Sequence, residues 1–245
     1  MNRSITAARI VVVDSHNLFA ECLCLGLCQR GHHAVAVEPP PRASSVAMML
    51  APVLREHPEI VIVNISRSSA GDGIGLVHPL TLSGVHVVVV TEDTDRARWG
   101  QALALGARAV VPKDAPLSSI AAAVRRLRDG TGAMAAEERR ALVAHYRAQH
   151  ARAAEQRELL ETLSQRESEI LSHLTWGQAV GEIARLSFVS EATVRTQVRS
   201  VLAKLGVSSQ LAAVALARNN GWVPCDVARD ADRAPTASRT RSAAS

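Results

Sequence analysis

The stretch VHVVVVTEDTDRARWGQALALGARAVVPK, Val85–Lys113, reads as a strand, a helix and a second strand. Val87-Val88-Val89-Val90 is apolar on both sides of a pleat, which suits a strand covered on both faces. Thr94–Leu105 has a helical pattern, Gly106 breaks it, and Ala107–Val111 is again β-rich. The same alternation extends outward, with strands at Arg9–Val13, His33–Val37 and Glu59–Val63 and helices at His16–Gln29, Ser44–Glu56, Ile74–Leu82 and Pro116–Arg128. Five strands in strict alternation with helices predict an α/β domain with a parallel sheet between two helical layers. Pro52 weakens the second helix by removing an internal hydrogen bond. On the first helix, Leu18, Cys22, Leu23 and Leu27 are expected to face the sheet, with Cys24, Leu25 and Cys28 turned partly outward.

A chain of 245 residues favours two domains. The predicted boundaries are an α/β domain over 8–130, a helical linker over 131–162, an all-α domain over 163–223 and a disordered tail over 224–245 rich in Asp, Arg, Ala, Ser and Thr. Hydrophobic residues at 47% and charged residues at 21% are globular values. The net charge is +5, with Lys113 and Lys204 the only lysines, so arginine carries the positive charge. Aromatic content of 2% disfavours a single-strand binder built on stacked rings. No apolar run approaches the roughly 18 residues of a membrane span, and Met1–Arg9 lacks a signal-peptide pattern, so no membrane partner and a cytoplasmic location are expected. Cys22, Cys24, Cys28 and Cys225 lack zinc spacing, and neither a metal nor a cofactor is expected.

In an open doubly wound sheet, chemistry gathers outside the carboxyl ends of the strands. Asp14-Ser15, Asn64, Thr91-Glu92 and Lys113 end four of the five strands. The patterns RIVVVDSHNLF, PEIVIVNIS, VVVVTEDTD and ARAVVPKDAPLSSI, over about Ala8–Arg128, resemble the flavodoxin-like receiver domain of NarL/FixJ response regulators. The resemblance implies that Asp14 matches the first residue of an acidic magnesium-binding pair, Thr91 the hydroxyl and Lys113 the lysine of a phosphorylation site. Four departures go the other way. Asn64 stands at the phospho-accepting aspartate, and a carboxamide cannot form an acyl phosphate. Ser15 replaces the second acid, leaving one carboxylate where magnesium favours several anionic oxygens. Val110 stands at the switch aromatic, and Glu92 is expected to crowd the former phosphate pocket.

Ser164-Gln165-Arg166-Glu167 is a capping box that starts a helix running to about Trp176 and ending at Gly177. Helices over Val180–Leu186, Glu191–Leu205 and Ser209–Asn219 follow. LSQRESEILSHLTWGQAVGEIARLSFVSEATVRTQVRSVLAKLGVSSQLAAVALARNNGW resembles the LuxR-type helix-turn-helix throughout. Val194, Val198 and Val201 form a core stripe, while Arg195 and Arg199 share another face with Thr196 beside them. A guanidinium can donate twice to guanine and a threonine methyl can touch thymine. The resemblance places Arg195, Thr196 and Arg199 at base-reading positions, makes Thr193, Arg166 and Lys204 candidates for phosphate contacts, and puts Leu211, Val214 and Ala215 in a dimer contact. Gly181 replaces a common basic residue and Gln197 a common histidine.

The expectation is a non-enzymatic transcription regulator that binds double-stranded DNA at an inverted repeat as a homodimer and needs no cognate histidine kinase. The resemblance, with the arginine- and alanine-rich composition, implies an actinobacterial-like member governing secondary metabolism or development. Three alternatives are a small-molecule ligand in the vacated pocket, an enzyme using Asp14, Thr91 and Lys113, and an interaction module whose receiver half only dimerises. The enzyme lacks an identifiable nucleophile–base pair.

Overall fold

The computed structural model describes residues 7–38, 45–66 and 72–224, in two compact units that divide at Gln149 and His150. In the first unit β1 (Arg9–Val13), β2 (His33–Val37), β3 (Ile60–Asn64), β4 (His86–Thr91) and β5 (Ala109–Pro112) form one sheet in the order β2-β1-β3-β4-β5. Every pairing is parallel. The helices between and after them are α1 (Asn17–Cys28), α2 (Val46–Arg55), α3 (Ile74–Leu82), α4 (Arg96–Ala104) and α5 (Leu117–Arg128). The expected disordered tail lies outside the described residues from Cys225 onward, as does the expected start of the second helix at Ser44.

The pleat sorts the strands into two cores. Ile10, Val12, Ile60, Ile62, Val88 and Val90 face α1 and α5, whereas Val11, Val13, Val61, Val63, Val87 and Val89 face α2, α3 and α4. The chain reverses direction of winding between β1 and β3, so Asp14 and Asn64 emerge side by side at the switch point. On α1 the buried stripe is Ala20, Leu23, Cys24 and Leu27, a spacing of three and four residues. This corrects the expected face: Leu18 is 76% exposed and Cys22 is exposed, while Cys24 is buried. Burial, followed by the charges of Cys28 and Glu21, raises the Cys24 thiol to about 11, so it stays protonated. Pro52 sits inside an unbroken α2, where Met49, Leu50, Val53 and Leu54 anchor the helix in the core and outweigh one lost hydrogen bond.

The linker is a helix, α6 (Ala136–Glu161), whose larger apolar residues pack into the cores. Leu142 is fully buried with Trp99 and Val110 in the first unit, and Leu160 belongs to the core of the second. Gly100 permits the close approach of α6 to α4, since a Cβ there would lie 2.1 Å from the Leu142 carbonyl oxygen. The Arg139 guanidinium donates to the carbonyls of Leu103 at 2.9 Å and Ala107 at 2.6 Å, satisfying acceptors at the end of α4.

The second unit packs α7 (Gln165–Thr175), α8 (Val180–Leu186), α9 (Glu191–Lys204) and α10 (Gln210–Asn219) around Ile170, Leu171, Ile183, Val194, Val198, Val201 and Ala213. Ser164, Ser190 and Ser209 cap α7, α9 and α10 through backbone N–H groups three residues on. Among the described residues no helix is long and apolar enough to cross a membrane.

Gly100→Ala is expected to lower the stability of the first unit by about 1–3 kcal/mol through overpacking. Gly75→Ala, where the new Cβ would make ordinary contact with Val46 at 3.5 Å, is expected to be neutral or slightly stabilising. Thermal unfolding of the two variants checks the difference, and equal melting temperatures would refute the close-packing argument.

Candidate functional site

Two places gather the residues singled out in the sequence. The first is the crevice at the carboxyl ends of β1, β3, β4 and β5. Asp14, Asn64 and Thr91 are all buried there. The Asn64 amide nitrogen donates to Asp14 Oδ1 at 3.0 Å, and Lys113 Nζ lies 2.7 Å from Asp14 Oδ2. The His16 backbone N–H also donates to Asp14 Oδ1, at 2.9 Å. Lys113 in addition sits over the Phe19 ring, 4.6 Å from its centre. The side chains of Asp14, Asn64 and Lys113 therefore neutralise and fill one another.

The remaining crevice residues are turned to other partners. The Thr91 hydroxyl donates to the Ile65 carbonyl at 2.8 Å and accepts from the Asp93 N–H at 3.0 Å, so it serves the backbone. Glu92 is exposed and accepts from the Ser66 hydroxyl at 3.3 Å, lying across the rim. Ser15 is exposed. A magnesium ion does not fit this donor set: Asp14 already faces an ammonium and an amide N–H, and both would have to be displaced by the cation. Among the described residues there is no group of three or more His, Cys, Asp or Glu side chains arranged to hold a metal.

The second place is α9. Its buried stripe of Val194, Val198 and Val201 docks on α7 and α8, which leaves Thr193, Arg195, Thr196 and Arg199 exposed. Arg199 has no ion-pair partner among the described residues. Arg195 is paired with Glu191 one turn earlier, at 2.6 Å. The Thr196 hydroxyl donates to the Ala192 carbonyl at 3.0 Å, which leaves its methyl as the apolar group on offer. Thr193 and Ser190 share a hydroxyl–hydroxyl hydrogen bond of 2.9 Å. Arg166 pairs with Glu169 at 2.7 Å.

Glu167 binds α9 to α7. Its Oε2 accepts from the Ser164 N–H and hydroxyl, each at 2.8 Å, and from Lys204 Nζ at 2.7 Å, while Oε1 accepts from the Ser200 hydroxyl at 2.7 Å. The Lys204 hydrogen bond, aided by Ser164 and Ser200 against the cost of burial, holds the carboxyl down to about 2. The ammonium expected to meet a phosphate is thus paired with a carboxylate of α7, although the Lys204 side chain is still 41% exposed.

Residues 161–217 match the family described as bacterial regulatory proteins, luxR family. The "Probable transcriptional regulatory protein NarL" of Mycobacterium tuberculosis (strain ATCC 25618 / H37Rv) is 29% identical over 209 residues, 84% of this chain and 92% of its own length. Along most of its length the chain is similar to this NarL regulator, and the luxR-family match falls in its second unit. A second relative, the "DNA-binding transcriptional activator DevR/DosR" of the same organism, is 29% identical over 177 residues, 71% of this chain and 79% of its own. The solved response regulator ChrA, from a heme-sensing two-component system, is 27% identical, covers 89% of this chain and 100% of its own, and has a TM-score of 0.44.

Two carboxylate pairings go beyond what was read from the sequence. Glu167 was legible only as a cap, because its partners Ser200 and Lys204 are 33 and 37 residues away. Glu191 was legible in principle, since it stands four residues before Arg195 at ion-pair spacing.

Lys113→Met is expected to destabilise the first unit by about 3–5 kcal/mol, because it leaves a buried carboxylate without its cation. Unchanged unfolding would show that the pair does not hold the crevice. For Glu167 the folded value lies below the ordinary 4.5, so its contribution is fully present above about 4.5 and is lost as pH falls toward about 2. Denaturant unfolding followed by fluorescence of Trp176 and Trp222 should therefore lose stability over that window. Glu167→Gln should lower stability at neutral pH and flatten the same segment.

Proposed function

We propose that this DNA-binding transcription regulator reads a specific duplex sequence and that its receiver-like unit works without aspartate phosphorylation. The observation that carries the second half is Asn64 at the acceptor position, donating to an Asp14 whose other oxygen is held by Lys113 at 2.7 Å. An amide cannot take a phosphoryl group, and the ion pair occupies the place where the metal and phosphate would have to sit. Val110 is packed with Leu142 of α6, so no aromatic relay is present at that position. A ligand in this crevice would have to break the pair, and regulation through expression level or a protein partner is the simpler reading.

Arg195, Thr196 and Arg199 are assigned to base edges in the major groove and Thr193 to a phosphate. Arg166 meets a phosphate only after exchanging Glu169. Lys204 is reassigned from a phosphate contact to holding α9 against α7, because its ammonium is committed to Glu167. Leu211 is 79% exposed on α10, with Val214 half-buried and Ala215 exposed beside it. This apolar strip supports pairing of two copies through α10 on an inverted repeat, with two α9 helices in successive major grooves. By family resemblance, the target genes serve secondary metabolism or development and the protein acts in the cytoplasm, while Asn64 in place of an aspartate is what dispenses with a cognate kinase.

Selection of bound duplexes from a random pool, with and without acetyl phosphate and magnesium, tests the whole proposal. The wild-type chain should enrich an inverted repeat identically in both conditions, with no phosphate gained in intact mass. Arg199→Ala should weaken binding by about 1–3 kcal/mol and relax preference at one position of each half-site. A phosphate mapped to a carboxylate and accompanied by tighter binding would overturn phosphorylation independence. An unchanged base preference in Arg199→Ala would overturn its role.

A further inference from the structure

We infer that the groove between α4 and α6 is a docking surface for an acidic amphipathic helix of a partner protein. The inference deepens the reading that a protein partner, rather than phosphorylation, regulates the chain, and it rests on that reading for its regulatory meaning alone. The groove is open, holds about 600 Å³, and has Arg139, Arg140 and Arg147 around a floor of Leu103, Val143 and Ala144. Arg139 is spent on the carbonyls of Leu103 and Ala107, where it neutralises the negative end of α4. Burial, and then the charge of nearby Arg108, lower the Arg139 pKa from its usual value, so a fourth cation stands at this end of the groove. Arg140 and Arg147 are exposed, and their side chains have no ion-pair or hydrogen-bond partner among the described residues. No carboxylate lines the groove, and Glu137 and Glu138 in the first turn of α6 pair with neither of these arginines. The guanidiniums outnumber those two acids, so the local charge is positive.

Two helical turns separate Arg140 from Arg147, which sets their Cα atoms about 10 Å apart along one row of α6. A helix lying along that row answers it with carboxylates at positions i and i+7 and meets the floor with apolar side chains at i+3 and i+4, the pattern of a helix bound in a groove. Ala144 between the two arginines, with Ala104 across the groove, lets such a helix come close. The apolar floor favours a protein over a nucleic acid, since phosphates would use the guanidiniums and leave Leu103 and Val143 in water. A cleft lined by one sign of charge also concentrates a partner of the opposite sign and speeds its arrival.

The test uses the full chain and a synthetic alanine-rich peptide of about 20 residues, long enough to be helical in part, with Glu at i and i+7, Leu at i+3 and i+4 and a neutral fluorophore. Fluorescence anisotropy should show saturable binding that weakens as salt is raised. Arg140→Glu and Arg147→Glu, both at exposed positions, should each weaken it about three- to tenfold, the scale of one exposed ion pair lost and one like charge gained. A peptide with Lys in place of the facing Glu should recover that loss in the matching variant and bind the wild type less well. Ala144→Gln, which puts a polar side chain on the floor, should weaken the peptide and leave affinity for a random duplex unchanged. Absence of saturable binding, or a loss in the arginine variants that the Lys peptide does not recover, overturns the inference. If the arginine variants lower duplex affinity and its salt dependence while the peptide does not bind, the groove is a phosphate contact and the inference falls. Neither result touches phosphorylation independence, which the intact mass after acetyl phosphate decides separately.

Discussion

A carboxylate with no access to water must be answered by charge or hydrogen bonds, and Asp14 is such a group at the point where the sheet reverses its winding. Its side chain receives an ammonium from the end of β5, an amide from the end of β3 and a backbone N–H from the start of α1. Those three partners tie three separate chain segments to one point. The arrangement that compensates Asp14 commits its two oxygens to Lys113 and to the Asn64 amide. In this crevice a structural solution stands where the resemblance would place a chemical one.

The second unit solves a similar problem at Glu167. This carboxylate completes the cap of α7, and its remaining hydrogen-bonding capacity goes to Ser200 and Lys204 on α9. The residue that starts one helix thus sets the position of another. Because α9 is the helix proposed to enter the major groove, its C-terminal half is fixed by α7 while its N-terminal half carries Arg195, Thr196 and the Glu191 pair. Support at one end places the helix, while the side chains at the other end stay exposed.

α6 contributes Leu142 to the core of the first unit and Leu160 to that of the second. Its contact with α4 depends on Gly100 and is reinforced by Arg139 at the carbonyls that end α4. With Val110 and Leu142 in the same core, the surface beside β5 is packed without an aromatic side chain at 110.

The order of strands and helices was legible in the sequence because the period of apolar residues changes from two to 3.6 at clear breaks, and Asp14, Asn64, Thr91 and Lys113 followed from their places at strand ends. The absence of an acceptor carboxylate at 64 and the exposed arginines of α9 needed only residue identity and helical spacing. The tertiary structure decided which side chains answer one another. The face of α1 was misjudged because a helix apolar on several sides has no unique stripe until the sheet and α5 select one. Pairing of Lys113 with Asp14 was one of the readings the strand ends allowed, whereas Lys204 read only as a phosphate contact; each has a carboxylate partner from distant sequence, and the cost of leaving those carboxylates uncompensated makes the pairs form. Local pattern therefore determined the elements and the residues they present, while long-range charge compensation, visible only once the elements are packed, determined what those residues remain free to do.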